Sequence, residues 1–253
     1  MTNRDNITST SWVDFGKLPA DIAFSPEEFD ELWNTHPPQL GKIKIFGKEI
    51  ETPRYQQSYL QDYIFSGLKH NADLDIHPTI IRLFKWVNET LGYGTFNQVF
   101  INWYENGEHY IGPHFDKEKQ LVKGSPIFSC SLGTTRTFEL SDPNTKKVIK
   151  SYKIENNTYL VMGGDLQKTY KHGVPKITPS SLAKKIGRRI NITFRIFTTN
   201  ISPNIKQKLD NILITKSNED NNNNNNNSSQ VMLSPPTPLP KKILIKKINT
   251  PNT

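Results

Sequence analysis

Between residues 96 and 197 the chain is a succession of short runs that are apolar or alternate between apolar and polar residues. The runs are Phe96–Tyr104, Ile127–Leu132, Arg136–Leu140, Lys147–Ile154, Thr158–Met162 and Arg189–Phe197. They are separated by turn-forming sequences such as Asn-Gly, Gly-Ser-Pro, Asp-Pro-Asn and Gly-Gly. Short runs bounded by Gly, Pro and Asn are typical of β-strands. This region is therefore predicted to form an antiparallel sandwich or barrel.

Two helices are predicted before these strands. Ser25 is followed by Pro26 and, three residues on, by Glu28, which is the pattern of an N-cap, a first helical position and a capping box. The prolines after His36 end this helix. A second helix is predicted for Pro78–Leu91, because Gly92 stops the apolar pattern. The predicted fold class is mainly β with flanking helices (α+β).

Composition separates the chain into segments. Only 34% of the residues are apolar, which is low for a packed chain of this length. Residues 221–227 are all asparagine, and serines and closely spaced prolines follow them. Residues 200–253 are predicted to be disordered, because they bury too little apolar surface to offset the entropy of ordering. The other predicted segments are a flexible N-terminus (1–11), a helical segment (12–95) and a β core (96–199).

Charge alone does not identify a partner. The net charge is +8, but residues 201–253 hold seven lysines against three acidic residues, so half of the excess lies in the predicted disordered segment. Within that segment Lys241–Lys247 is basic with an aliphatic centre. It is interpreted as a nuclear-import or nucleic-acid-contacting patch, or alternatively as a solubilising end.

Several classes of protein are excluded by the residues that the chain lacks. No apolar run is long enough to cross a bilayer, so no membrane association is expected. The polar first ten residues lack the apolar part of a secretory signal. Cys130 is the only cysteine, which excludes an internal disulfide and a cysteine-based zinc site and fits a reducing compartment.

His114 and Asp116 are separated by one residue. Residues i and i+2 of a strand point to the same face, so these two side chains can bind one metal ion. A third ligand must come from elsewhere, and His172, which follows a predicted strand, is a good candidate. The other histidines of the chain remain possible choices at this point: His36, His70, His77 and His109. Two histidines and one carboxylate form the ligand set of non-haem iron(II) oxygenases, which leaves positions open for other ligands.

The last predicted strand carries polar residues on one face. Arg189, Asn191, Thr193 and Arg195 alternate with apolar residues. Buried arginines need partners, and a dicarboxylate supplies them, because guanidinium groups bind carboxylates with two hydrogen bonds. A solvated face, or pairing with acidic residues of a neighbouring strand, is the alternative. The metal-ligand candidates favour the first interpretation.

Taken together, these motifs resemble the AlkB family of Fe(II)- and 2-oxoglutarate-dependent nucleic-acid dealkylases, and most closely its duplex-DNA-repair branch. The resemblance rests on Asn102-Trp103-Tyr104, Gly107, Ile111–Glu118, Met162–Lys176 and Arg189–Arg195. Tyr170 departs from the family, many members of which have tryptophan there. The resemblance covers about residues 18–197 and implies a double-stranded β-helix (jelly roll) with an N-terminal nucleotide-recognition lid within residues 12–95.

The resemblance also implies roles for the residues of these motifs. His114, Asp116 and His172 would bind Fe(2+). The residues that would bind 2-oxoglutarate are Asn102, Tyr104, Arg189, Asn191, Thr193 and Arg195, with Arg189 at the distal carboxylate. O2 is the second cosubstrate. The implied reaction oxidises a methyl group on a base nitrogen and releases formaldehyde, succinate and CO2.

A base must leave the stack, or be single-stranded already, before an enzyme can act on it. The resemblance implies that Tyr63, Phe65 and Ser66 line the pocket for such a base and that Glu118 forms a hydrogen bond with its edge. Ordinary core packing of Tyr63 and Phe65, and an exposed loop position for Glu118, are the alternatives.

Two further residues match the duplex-repair branch. Phe46, within Ile45-Phe46-Gly47-Lys48, matches a residue that enters the duplex stack in place of the flipped base. Arg54 matches the Pro-Arg pattern of the same branch near the site, and the resemblance implies that it also binds the nucleic-acid substrate. The alternative for Phe46 is a hairpin residue folded back on the core.

The predicted function is a monomeric, nuclear DNA-repair dioxygenase that demethylates N1-methyladenine and N3-methylcytosine in duplex DNA. Asp142–Lys150 is shorter than the basic loop with which the branch grips the opposite strand, so single-stranded DNA or RNA is the alternative substrate. A small-molecule 2-oxoglutarate oxygenase and a non-catalytic nucleic-acid-binding module are alternatives from other classes. The aromatic pocket residues argue against the former and the complete ligand set against the latter.

Overall fold

The computed structural model describes residues 3–116, 119–207 and 209–210. The strands are β1 (Asn3–Asn6), β2 (Ser11–Lys17), β3 (Lys42–Ile45), β4 (Lys48–Glu51), β5 (Tyr55–Tyr59), β6 (Tyr63–Phe65), β7 (Leu68–His70), β8 (Ala72–Asp73), β9 (Gln98–Tyr104), β10 (Ile111–His114), β11 (Ile127–Gly133), β12 (Arg136–Ser141), β13 (Val148–Ile154), β14 (Thr158–Gly164), β15 (Lys171–Val174) and β16 (Arg189–Arg195). The helices are α1 (Pro26–Trp33), α2 (Pro78–Thr90), α3 (Leu166–Thr169) and α4 (Ser180–Ala183). The predicted disordered segment, 200–253, is wrong at its start: residues 203–207 and 209–210 are helical, and Leu209 is buried in an apolar cluster. The rest of that segment, with its patch Lys241–Lys247, lies outside the described residues.

Two facing sheets form the body of the fold. The large sheet has the order β1-β2-β14-β11-β16-β9-β5-β8 and the small sheet the order β10-β15-β12-β13. From β9 to β16 the chain passes back and forth between them, and the pairs within this region are antiparallel. This connectivity is that of a double-stranded β-helix, so the predicted fold class is confirmed.

Apolar residues of the two sheets meet between them. Ile127, Leu160 and Met162 of the large sheet belong to one buried cluster with Phe138 and Val174 of the small sheet. The cluster fills one part of the space between the sheets. Polar residues occupy the rest of that space, as described for the site below.

The other face of the large sheet packs against helices. On β16, Ile190, Ile192 and Phe194 are fully buried in a cluster that includes residues of α1 and α2. The period of two along a strand then turns the intervening polar residues of β16 towards the small sheet. Cys130 of β11 lies in the helix-side cluster, and burial raises the pKa of its thiol.

Both predicted helices are present. The backbone N–H of Glu28 donates to Ser25 Oγ (3.2 Å), and the N–H of Ser25 donates to a Glu28 carboxylate oxygen (3.1 Å), which completes the predicted capping box. Helix α2 ends at Thr90, one residue before the predicted end. The buried residues of α2, including Ile80 and Leu83, pack on the large sheet.

The N-terminus differs from its predicted flexibility. Residues 3–6 form β1, which pairs along its whole length with β2. The guanidinium of Arg4 donates twice to the buried carboxylate of Asp14 (2.7 Å each). Asp5 accepts from Tyr152 Oη (2.9 Å) and lies 2.8 Å from Lys150 Nζ, so β1 also contacts the small sheet. This strand has polar residues only, and the partners of Asp5 on β13 lie far along the chain, so the local sequence pattern did not reveal it.

Segments before residue 95 share the large sheet with the predicted core. Strand β2 pairs with β14, and β5 pairs with β9. Two hairpins, β3–β4 and β6–β7, form small sheets of their own. No helix among the described residues combines the length and the apolar composition needed to cross a membrane.

Candidate active site

The predicted metal ligands converge beside strands β10 and β15 of the small sheet. His114, the last residue of β10, pairs in register with His172 of β15, and their rings are 4.3 Å apart. Asp116 follows two residues after His114, just beyond the strand, and its Oδ1 lies 3.5 Å from His114 Nε2. One possible ligand atom from each residue lies within 4.8 Å of those of the other two. The structure therefore brings together the three residues that the sequence singled out.

The protonation states of Asp116 and His172 suit a cation. Burial raises the pKa of Asp116, but Arg195 and the two histidines lower it by more, so the pKa lies below its ordinary value. Burial, and then the neighbouring His114, lower the pKa of His172 from 6.5 to about 3. At neutral pH Asp116 is ionised and His172 is neutral, which are the states that bind a metal ion.

Neighbouring groups fix the orientation of these ligands. His114 Nδ1 lies 2.9 Å from the carbonyl oxygen of Gly112, so Nδ1 donates and Nε2 keeps its lone pair. Arg195 donates from Nε (3.0 Å) and Nη2 (2.8 Å) to Asp116 Oδ2. Gln167 Oε1 accepts from the backbone N–H of Asp116 (3.1 Å). His172 Nδ1 is buried without a hydrogen-bond partner among the described residues. His114, Asp116 and His172 thus form the ligand set of two histidines and one carboxylate that is typical of non-haem iron(II) oxygenases.

A polar cavity between the sheets adjoins the three ligands. It is lined by the predicted cosubstrate residues Asn102, Tyr104, Arg189, Asn191, Thr193 and Arg195, together with Ser129. Arg189 is 2% exposed, and its Nη2 donates to Ser131 Oγ (2.8 Å). Its Nε and Nη1 have no hydrogen-bond partner in the described part of the chain. A buried guanidinium in this state is costly, so the cavity fits a ligand that carries a carboxylate.

Two other predicted cosubstrate residues already have protein partners. Asn191 Nδ2 donates to Ser129 Oγ and to the carbonyl oxygen of Cys130, each at 2.8 Å. Arg195 binds Asp116 as described above, and its guanidinium lies over the ring of Tyr63 at 4.8 Å. Arg195 thus joins the metal ligands to the neighbouring aromatic cleft.

That cleft has a volume of about 520 Å³, in the usual range for small-ligand sites. The residues that line it include Ile43, Ile45, Ile50, Arg54, Tyr63, Phe65, Ser66, Phe100, His114 and Asp116. The rings of Tyr63 and Phe65 are 4.9 Å apart, and Tyr63 also packs edge-on against Phe100 at 5.1 Å. The predicted base-pocket residues therefore lie together beside the metal ligands, although Tyr63 is also part of a buried aromatic cluster.

Phe46 occupies the tip of the β3–β4 hairpin. Its side chain is fully exposed, and its backbone φ of 48° lies in the left-handed region that few non-glycine residues adopt. Ile43, Ile45 and Ile50 on the same hairpin line the aromatic cleft. The alternative of a phenylalanine folded back on the core does not occur.

The structure gives partial information on Arg54 and none on Glu118. Arg54 lines the cleft but is buried, and it donates from Nε to Asn102 Oδ1 (2.9 Å) and from Nη1 to the carbonyl oxygen of Tyr110 (3.2 Å). Glu118 lies outside the described residues, so its predicted contact with a base edge stays a prediction.

Sequence reasoning missed several residues of the site. Gln167 stands inside a matched stretch but received no role, and Ser129 and Ser131 alternate on β11 without any special motif. Gln56 lies between Thr52, Arg54 and Asn102; its amide nitrogen donates to Thr52 Oγ1 (3.0 Å) and its amide oxygen accepts from Arg54 Nη2 (2.9 Å). Only the β5–β9 pairing, in which Gln56 faces Asn102, could have revealed it.

Comparison with known proteins agrees with the kind of site that this geometry indicates. Residues 42–195 match the family described as the 2OG-Fe(II) oxygenase superfamily. The chain is 32% identical over 192 residues to "DNA oxidative demethylase ALKBH2" of Bos taurus and of Homo sapiens, covering 72% of this chain and 66% and 70% of those proteins. It is 30% identical over 141 residues to "Alpha-ketoglutarate-dependent dioxygenase alkB homolog 3" of Homo sapiens, covering 53% of this chain and 47% of that protein.

Gly173 allows the two histidine-bearing strands to approach. A Cβ on Gly173 would lie 2.8 Å from the carbonyl oxygen of Ile111 and 3.1 Å from backbone atoms of Gly112 and Pro113, so β10 would have to move. We expect Gly173→Ala to separate His114 from His172 and to weaken Fe(II) or Mn(II) binding by about tenfold or more. The measurement is a metal titration under anaerobic conditions.

The matched control is Gly112→Ala on the facing strand. A Cβ there meets no described atom within 4 Å, and the backbone of Gly112 is not left-handed. Metal affinity should stay within about twofold of wild type in this variant. An equal loss of metal affinity in both variants would show that the close approach of β10 and β15 at Gly173 does not determine the geometry of the metal ligands.

Arg189 and Arg188 offer a second matched pair. Arg189→Ala should weaken the binding of 2-oxoglutarate to Mn(II)-loaded protein by about tenfold or more, because a charge-assisted hydrogen bond contributes ~1.5–3 kcal/mol. Arg188 points away, pairs with Asp30 and is 42% exposed, so Arg188→Ala should have little effect. Isothermal titration calorimetry measures both. A larger effect at Arg188 would contradict the assignment of the strand face.

Proposed function

This chain belongs to the AlkB family within the 2OG-Fe(II) oxygenase superfamily and is a dioxygenase dependent on iron(II) and 2-oxoglutarate; we propose that it repairs DNA by removing methyl groups from bases. The proposed lesions are N1-methyladenine and N3-methylcytosine, and the proposed compartment is the nucleus. The name "DNA oxidative demethylase" of its relatives supports this activity.

One observation carries the proposal. The cleft that contains Tyr63 and Phe65 opens directly onto His114 and Asp116. Flat aromatic rings at the mouth of a metal site suit a nucleobase, because every base offers a face for stacking. A small aliphatic substrate would gain little from these rings.

The chain's own residues provide binding and orientation. His114, Asp116 and His172 would hold iron(II), and Arg189 would bind one carboxylate of 2-oxoglutarate. When these groups and O2 are bound, they supply the oxidation of a methyl C–H bond, with succinate and CO2 as coproducts. Tyr63 and Phe65 would hold the base so that its methyl group faces the metal ligands. The oxidised methyl group then leaves as formaldehyde.

The aromatic rings of the cleft suit a cationic base. N1-methyladenine and N3-methylcytosine carry a positive charge, and aromatic faces attract cations. A methylated base is thus distinguished from its unmethylated form by charge as well as by shape.

The direct test is formaldehyde release. Wild-type protein with Fe(II), 2-oxoglutarate and O2 should release formaldehyde from duplex DNA that carries one N1-methyladenine, and Asp116→Ala should not. The same lesion in single-stranded DNA and in RNA forms the comparison. Conversion of 2-oxoglutarate to succinate without formaldehyde from any of the three would leave the family assignment intact and refute the proposed substrate.

Phe46 tests the preference for duplex DNA. If its exposed ring enters the stack in place of the flipped base, Phe46→Ala should lower turnover on duplex DNA by about tenfold to a hundredfold, because a base–aromatic contact contributes ~1–3 kcal/mol. Turnover on single-stranded DNA should change much less, since no stack has to be opened.

The control is Leu182→Ala, which removes another exposed apolar side chain, on α4. It should leave the ratio of duplex to single-strand turnover unchanged. An unchanged ratio for Phe46→Ala as well would move the proposed substrate to single-stranded nucleic acid. The short turn between β12 and β13, Asp142–Lys147, is the feature that would favour that outcome.

A further inference from the structure

Arg54 lies where the aromatic cleft meets the cosubstrate cavity. It lines the cleft, while its hydrogen-bond partner Asn102 lines both the cleft and the cavity. Only 7% of Arg54 is exposed. From this position Arg54 could act on a ligand in the cleft or on a ligand in the cavity. Its hydrogen bonds show which of the two ligands it serves.

The guanidinium of Arg54 is held by protein acceptors. Nε donates to Asn102 Oδ1 at 2.9 Å, and Nη1 donates to the carbonyl oxygen of Tyr110 at 3.2 Å. The remaining nitrogen, Nη2, donates to the amide oxygen of Gln56 at 2.9 Å. These contacts fix the plane of the guanidinium and leave little of it for a base in the cleft.

The contact with Asn102 determines which way the asparagine amide points. A guanidinium N–H only donates, so it selects the amide oxygen and excludes the amide nitrogen. Oδ1 therefore faces Arg54, and Nδ2, on the other side of the same planar group, is left for the cavity. Asn102 Nδ2 donates no hydrogen bond to any of the described residues. It is a donor available to a carboxylate, whereas a rotated amide would present a repelling oxygen.

We propose that Arg54 is a positioning residue for 2-oxoglutarate: from the substrate cleft it holds the Asn102 amide so that Nδ2 faces the cosubstrate. The inference depends on the 2-oxoglutarate dependence of the family and not on the proposed DNA substrate. It replaces the sequence-based expectation that Arg54 contacts the nucleic acid.

The test is a double-mutant cycle on cosubstrate binding. Isothermal titration calorimetry measures the affinity of Mn(II)-loaded protein for 2-oxoglutarate in the absence of nucleic acid. Arg54→Met, which keeps most of the side-chain volume, should weaken binding by about tenfold, because it removes a charge-assisted hydrogen bond. In an Asn102→Ala background the same change should alter the affinity by less than about twofold, because the group that Arg54 positions is absent.

Two results would overturn the inference. One is an unchanged affinity for 2-oxoglutarate in Arg54→Met, with weaker binding of methylated DNA instead, which would make Arg54 a substrate contact. The other is the same loss in both backgrounds, which would mean that Arg54 acts through general packing. Mn(II) affinity, measured in each variant, should stay constant, because no metal ligand contacts Arg54 through a described hydrogen bond.

Arg54 is buried, so Arg54→Met could fail to fold. In that case Arg54→Lys takes its place in the cycle. It keeps the charge and most of the volume but lacks the planar group that Tyr110 and Asn102 hold together. The same non-additivity, with a smaller loss, is expected, and an additive result would again refute the inference. Failure of the formaldehyde assay would leave this measurement unaffected, so the two proposals fail separately.

Discussion

The buried ion pair between Arg195 and Asp116 connects the parts on which the site depends. Arg195 belongs to the large sheet, whereas Asp116 follows the strand of the small sheet that carries His114. Neither charge could be buried alone without a large cost, so each requires the other. Because the pair spans the two sheets, the position of a metal ligand is tied to the packing of the whole jelly roll. The carboxylate of Asp116 is therefore held by the protein before any ligand binds.

Alternation along β16 shows how much the sequence could predict. Its apolar residues face the helices and its polar residues face the cavity, as the period of two required. His114, Asp116 and His172 were likewise identified from spacing and residue type. In both cases the information is local, or lies in a motif with a fixed chemistry.

What the sequence could not predict depends on contacts between distant residues. Strand β1 has no apolar pattern, and its stability comes from Arg4 with Asp14 and from Asp5 with the small sheet. The motif that contains Arg54 is local and did not reveal the hydrogen bond to Asn102, which lies 48 residues away in the sequence. Arg195 and Asp116, which form the buried ion pair, are 79 residues apart in the sequence. Polar side chains have many possible partners, and only the folded chain selects among them.

The buried thiol of Cys130 bears on the conditions under which such an enzyme works. Alkylating agents attack soft nucleophiles, and a cysteine thiolate is the softest that a protein offers. The only cysteine of this chain lies inside the large sheet, and burial raises its pKa, so it stays protonated and out of contact with solvent. The reagents that methylate bases would find no reactive sulfhydryl here. If the chain repairs methylated DNA as proposed, its sulfhydryl is thus shielded from the reagents that create its substrate.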